Sequence, residues 1–164
     1  MRKFNGSKVL VTGHTGFKGS WLSLWLKSLG AEVSGVSFDI PTDPSHFQVT
    51  KLHHLVNDYR LDIRNREGLK DLVKSIKPDF VFHLAAQALV YESYQNPLDT
   101  IETNVIGTAN LLDSLRMLEK EVTAVIITSD KAYDNVEWVW GCLLYTSDAA
   151  DDLLCVDLGG RRII

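Results

Sequence analysis

Cysteine is nearly missing from this chain: of 164 residues only Cys142 and Cys155 carry a thiol, and the first 141 carry none. A disulfide-stapled scaffold is thereby excluded, as is a cysteine metal cluster, and a reducing compartment fits. No apolar run approaches the length of a bilayer span, and the opening M-R-K-F-N-G-S lacks the apolar core of a secretion signal. Positive charge is not in excess either. Seventeen Lys and Arg stand against 21 Asp and Glu, a formal net charge of −4, so neither nucleic acid nor an anionic membrane is an expected partner. These absences point to a cytoplasmic chain. Its length suffices for one domain with a real core, and 45% hydrophobic and 23% charged residues are ordinary for a globular protein.

What is present is concentrated near the N-terminus. Val9 to Gly19 read V-L-V-T-G-H-T-G-F-K-G, a β-branched run ending in a loop with Gly13, Gly16 and Gly19. A strand, a phosphate-cradling turn and a helix N-terminus have this layout. Gly13 permits the tight turn, Gly16 the approach of a pyrophosphate, and Gly19 close helix–strand packing. The dipole and unpaired N–H groups of the following helix then face the negative charge. A dinucleotide cofactor is the first expectation, and three glycines in an ordinary loop the competing one. After the loop, Phe17, Trp21, Leu22, Trp25, Leu26 and Leu29 recur at helical spacing, predicting a helix over 17–29 that packs this stripe on a sheet.

Strand and helix patterns alternate beyond it. Strands are expected at 9–12, 32–37, 58–61, 79–84 and 122–128, with F-V-F-H-L of the fourth reading as buried on both faces. Helices are expected at 64–76 and from Pro97, suited to the first helical position, to about Leu118. The stretch 41–55, broken by Pro41 and Pro44, reads as polar and irregular. This order predicts an α/β fold with a doubly wound parallel sheet, a Rossmann fold. In such sheets ligands sit beyond the carboxyl ends of the strands. Three stretches follow strands there: the glycine loop, His83-Leu84-Ala85-Ala86-Gln87, and Thr128-Ser129-Asp130-Lys131. The last offers hydroxyl, carboxyl and amine within four residues, and a plain polar cap on a strand is the alternative. His14 either shapes the glycine loop or contacts a substrate. His53-His54 has no partner at metal-ligand spacing, so no metal is expected.

V-T-G-H-T-G-F-K-G-S-W-L, P-D-F-V-F-H-L-A-A-Q, I-E-T-N-V-I-G-T and I-I-T-S-D-K-A-Y-D-N together resemble the extended short-chain dehydrogenase/reductase superfamily. Within it, F-K-G-S-W, H-L-A-A-Q, T-S-D-K and E-W-V-W-G resemble the CDP-glucose 4,6-dehydratases, a likeness covering nearly all of 6–141. The resemblance implies an NAD-dependent lyase acting on a nucleotide sugar. A hydride passes from sugar C4 to NAD+, water leaves across C5 and C6, and the hydride returns to C6. It implies Ser129 on the sugar O4, Asp130 as acid toward the departing C6 hydroxyl and Lys131 as base near C5. It further implies Phe17 and Lys18 with the glycines at the pyrophosphate, Asp62 and Ile63 at the adenine, and Leu84, Ala85 and Ala86 along the ribose. Thr103 and Thr128 would stand on the nicotinamide side, and a homodimer would form through the helix around Ile101–Leu118. Other extended-family dehydratases, epimerases and a non-catalytic NAD(P)-binding module are the alternatives. One departure stands out: Ser37 ends the second strand, where NAD-preferring folds often place an acid for the ribose 2′-hydroxyl.

The superfamily's catalytic Tyr-x-x-x-Lys pair is absent, since none of the five tyrosines is followed by lysine at the fourth position. From Cys142 the chain matches nothing in the family, and Cys142–Asp151 and Val156–Ile164 resemble two ends of a sequencing adaptor translated in one frame. Residues 1–141 are therefore expected to be the N-terminal part of the dinucleotide domain, and 142–164 a non-native, disordered tail. That tail has four Asp and two Arg, so −2 of the overall −4 belongs to it.

Overall fold

The computed structural model describes residues 2–128. Five strands form one parallel sheet in the order β3-β2-β1-β4-β5. They are β1 (Lys8–Thr12), β2 (Glu32–Ser37), β3 (Asn57–Arg60), β4 (Phe80–His83) and β5 (Thr123–Ile126). Each agrees with its expected span to within a residue or two, which is the alternation of β-branched runs with helical stripes made physical. The central strand β1 pairs with β2 on one side (Val9 with Val33) and with β4 on the other (Val9 with Phe80). Val9, Leu10 and Val11 are fully buried there. From β1 the chain winds outward through β2 to β3, then crosses back to lie beside β1 as β4. The carboxyl ends of β1 and β4 thus flank a topological switch point, the place where open α/β sheets bind ligands.

Two cores lie on the two faces of the sheet. One gathers Val9, Val11, Leu26, Val33, Phe47 and Leu52, and the other Leu10, Val36, Ile63, Leu69, Val73 and Leu111. The second is closed by α3 (Arg66–Ile76) and α6 (Gly107–Arg116). Asn65 caps α3 by accepting the Gly68 N–H at 3.0 Å.

The first helix, α1 (Phe17–Ser28), corrects the expected packing. Its buried residues are Gly19, Ser20, Ser23 and Leu26, while Phe17, Trp21 and Trp25 are 73%, 52% and 60% exposed. The glycine loop sets this rotation. A Cβ on Gly19 would run into the Gly13 carbonyl, so only small side chains fit where α1 meets β1 and the loop. The aromatic stripe must turn outward.

Two further corrections follow from local chemistry. The stretch expected to be irregular holds a short helix, α2 (His46–Val49), begun by a capping box in which Ser45 and Gln48 satisfy each other's backbone N–H. A 3-10 turn over Leu52–His54 follows, and Phe47 and Leu52 are core residues. Strand β4 is fully covered on one face alone: Val81 and His83 are buried, Phe80 and Phe82 half-buried, with Phe4 packed against both rings.

The long helix begins at Pro97 as expected, after a short helix α4 (Val90–Gln95) that has no counterpart among the expected elements. It runs through α5 (Pro97–Ile101), a π-helical turn over Glu102–Ile106, and α6, with helical dihedrals at both junctions. Leu98, Ile101, Val105 and Leu112 are exposed along it. Among the described residues no helix is long and apolar enough to cross a membrane.

Candidate functional site

The glycine loop joins β1 to α1 at the switch point. Gly13 has φ +75°, and a Cβ there would lie 2.7 Å from the Ala85 nitrogen and 2.8 Å from the Leu84 carbonyl carbon. The loop therefore rests directly on the segment leaving β4, and only glycine fits. Gly16 is different. Its φ is −70°, and an added Cβ would meet nothing closer than the Gly13 oxygen at 3.4 Å. The protein's own packing does not demand glycine there, and the missing side chain leaves the backbone open to a group from outside. Gly16 is also the N-cap of α1, where no side chain caps the helix and no acid lies in the first turn. The N–H groups of Phe17, Lys18 and Gly19 precede the first intrahelical bond, Ser20 N–H to Gly16 O at 2.9 Å. This uncapped positive end is suited to a phosphate. The residues present fit a dinucleotide pyrophosphate.

His14 is fully buried, so its place is inside the loop rather than toward a ligand. Its Nε2 donates to Asp58 Oδ1 at 2.9 Å, and its Nδ1 accepts from Ser37 Oγ at 2.9 Å. The same Ser37 hydroxyl oxygen accepts from the Thr15 N–H at 3.3 Å. Burial lowers the His14 pKa against the opposing pull of Asp58, and keeps the ring neutral. Ser37 is thus committed to the loop and does not replace a ribose-binding acid. Asp58 also receives Arg60 Nη2 at 2.9 Å, and Arg60 Nη1 donates to the Asp39 carbonyl at 3.3 Å. Neither Asp58 nor Arg60 was singled out by sequence. Their signal is the register, since Ser37 pairs with Arg60 across β2 and β3.

On the other side of β1 a directional chain of hydrogen bonds holds the β4 exit. Thr108 Oγ1 donates to the Asn104 carbonyl at 2.7 Å, so it must accept from His83 Nε2 at 2.9 Å. His83 Nδ1 then accepts from Thr12 Oγ1 at 2.6 Å, which leaves the Thr12 oxygen to accept the N–H groups of Leu84 and Ala85, both at 3.2 Å. Burial pushes the His83 pKa down, consistent with this neutral tautomer. The chain fixes Leu84 and Ala85 against the glycine loop, with Ala86 exposed beyond them.

Asp62 and Ile63 follow β3. Asp62 takes Arg64 Nε and Nη2 at 2.9 and 2.6 Å, and that guanidinium holds its carboxyl below the usual range. Ile63 sends its side chain into the core and gives its carbonyl to Asn110 Nδ2 at 3.1 Å. Thr103 is half-buried in the π turn, and Thr128 is exposed. Ser129, Asp130 and Lys131 lie outside the described residues, as does the segment 142–164. Among the described residues, no three His, Cys, Asp or Glu side chains gather where they could hold a metal.

Comparison with known proteins places these features in a family. The sequence matches the GDP-mannose 4,6 dehydratase family over residues 10–139. It is 51% identical over 138 residues to CDP-glucose 4,6-dehydratase of Salmonella typhimurium, covering 84% of this chain and 38% of that protein. Among solved structures, UDP-glucose 4-epimerase of Thermus thermophilus, in complex with NAD, is 35% identical with a TM-score of 0.58, over 66% of this chain and 33% of its own. UDP-glucose-4-epimerase of Stenotrophomonas maltophila, with bound NAD and formylated UDP-arabinopyranose, reaches a TM-score of 0.70 at 26% identity, over 95% of this chain and 49% of its own. The chain spans 38% of the length of the Salmonella relative it matches. With the glycine loop, the parallel sheet and this match in agreement, the chain belongs to the GDP-mannose 4,6 dehydratase family.

Proposed function

We propose that this chain is the NAD-binding N-terminal portion of a CDP-glucose 4,6-dehydratase. The observation that carries the cofactor half of this reading is the uncapped α1 N-terminus behind Gly16, a glycine the protein's own packing does not require. The 51% identity to the Salmonella enzyme supports the substrate half, since curated epimerases match at 29% to 36%. NAD, when bound, supplies a reversible hydride acceptor. The N–H groups after Gly16, with Phe17 and Lys18, would hold the pyrophosphate, Asp62 and Ile63 the adenine end, and Leu84, Ala85 and Ala86 the far ribose. Thr103 and Thr128 would serve the nicotinamide end. Ser129 hydrogen-bonds the sugar O4, Asp130 gives a proton to the departing C6 hydroxyl, and Lys131 takes the C5 proton. A lysine base needs a lowered pKa at that position. The exposed stripe of Leu98, Ile101, Val105 and Leu112 is the surface through which two copies of the parent pair.

On this reading the 164 residues supply the NAD seat, and the Tyr-x-x-x-Lys pair needed for turnover of CDP-glucose is not among them. Calorimetric titration with NAD tests the first half: Gly16→Val loses binding while its circular dichroism stays that of the folded chain, and unchanged affinity refutes the site. A chimera tests the second, with residues 1–141 replacing the matching segment of the Salmonella enzyme. It converts CDP-glucose to the 4-keto-6-deoxy sugar, and Asp130→Asn in the chimera slows that conversion. A folded, NAD-binding chimera without dehydratase activity overturns the assignment.

A further inference from the structure

The segment leaving β4 is held from both ends, and the second hold comes from a side chain in the π turn. Asn104 sits at the middle of Glu102–Ile106. Its Oδ1 accepts the Gln87 N–H at 2.8 Å and its Nδ2 donates to the Gln87 carbonyl at 2.9 Å, a two-bond amide clamp on one peptide residue. Thr12 fixes Leu84 and Ala85 at the near end, so the intervening Ala85–Ala86 backbone has little freedom left. The Gln87 side chain ties the next stretch separately, donating to Leu89 O and Thr100 Oγ1, each at 3.0 Å, and accepting the Leu89 N–H at 2.6 Å. π turns account for well under 1% of residues and concentrate at functional sites. This one widens the helix where Asn104 reaches the loop, and the Asn104 carbonyl also ends the Thr12–His83–Thr108 chain.

We propose that Asn104 is a positioning residue for the cofactor: its clamp on Gln87 sets the path of the Ala85–Ala86 backbone and thereby the seat of the nicotinamide half, but not of the adenosine half. The inference rests on the dinucleotide reading above. A dinucleotide laid across the switch point has one half on the β2–β3 side of the glycine loop and the other on the β4–β5 side. Ser37, Arg60 and Asp62 belong to the first side, and Gln87 and Asn104 to the second.

The test compares NAD with ADP, which carries only the adenosine half and its phosphates, as ligands of the full chain. Asn104→Leu keeps the volume and removes both bonds. It weakens NAD about tenfold or more and leaves ADP affinity essentially unchanged. Gln87→Ala cuts the neighbouring side-chain ties but keeps the backbone clamp, and leaves the ratio of the two affinities as in the parent. Equal weakening of NAD and ADP in Asn104→Leu, or no weakening of either, overturns the proposal. Amide exchange of Gln87 in the unmutated chain gives a second reading that needs no variant: it is slow, and slows further with NAD but not with ADP. Unprotected exchange overturns the clamp. Failure of the unmutated chain to bind either ligand refutes the dinucleotide site itself, and the proposal with it.

Discussion

Thr12→Val removes one oxygen that serves three partners at the centre of the site. The Thr12 hydroxyl donates to His83 Nδ1 at 2.6 Å and accepts from Leu84 and Ala85 N–H at 3.2 Å. Leu84 keeps a second acceptor, the Thr12 carbonyl at 3.1 Å, so two groups are left orphaned: the His83 Nδ1 lone pair and the Ala85 N–H. His83 cannot escape by exchanging its proton between nitrogens, because Thr108 Oγ1 is already donating to Asn104 and needs the Nε2 proton. Thr12 and His83 are buried, so water cannot replace the lost partner without opening the carboxyl end of the β1–β4 seam to it. Each of the two orphans costs about 1–3 kcal/mol, and the added methyl returns about 0.8, so the net loss is about 1–5 kcal/mol. Against a total of about 5–15 kcal/mol that is a large fraction. Urea unfolding followed by circular dichroism reads it directly, with Thr12→Ser, which keeps the oxygen, as the control. A loss below about 0.5 kcal/mol for Thr12→Val refutes the reasoning. So does a nitrogen-resolved NMR spectrum in which His83 carries its proton on Nδ1.

The remaining expectations concern pH, packing and association. His14 and His83 both have pKa values lowered from 6.5 by burial, so folding favours their neutral forms. Stability is therefore complete above about pH 6.5 and is lost as pH falls through the lower folded values, by up to about 1.4 kcal/mol per pH unit for each histidine; urea midpoints that stay level from pH 7.5 to 5 contradict this. Gly19→Ala forces a Cβ onto the Gly13 carbonyl and lowers unfolding free energy by about 1–3 kcal/mol, whereas Gly16→Ala, whose Cβ meets nothing closer than 3.4 Å, costs only the weaker N-cap preference, about 0.5–1; equal effects in thermal melts would show that α1 does not press on the loop. Ile101→Asp, placed in the exposed stripe of the long helix, reduces self-association in sedimentation velocity without moving the unfolding midpoint. Identical sedimentation of variant and parent sinks the pairing surface.

The sheet was legible in the sequence because its cause is local and periodic: β-branched runs at 9–12 and 32–37 between helical stripes can form little else. The phosphate loop was legible because glycine spacing reports backbone geometry directly, and Gly13 and Gly19 do sit where any Cβ would collide. Orientation was not legible from hydrophobicity. In α1 the most apolar stripe, Phe17–Trp21–Trp25, faces out, because proximity to the loop selects for size on the inner face and Gly19, Ser20 and Ser23 are what fit. The same failure recurs with polar residues. Asn104, Asp58 and Arg60 act through partners 17, 44 and 21 positions away, and nothing in a one-dimensional pattern marks such pairs. Ser45 is the counterexample. Its S-x-x-Q spacing with Gln48 is a local signal for a helix start, and it lay in plain view inside a stretch that two prolines made look irregular. A close contact that excludes side chains thus outweighs the hydrophobic period next to it: the glycines that allow β1, α1 and the β4 exit to converge also force the bulky apolar residues of α1 to the outside.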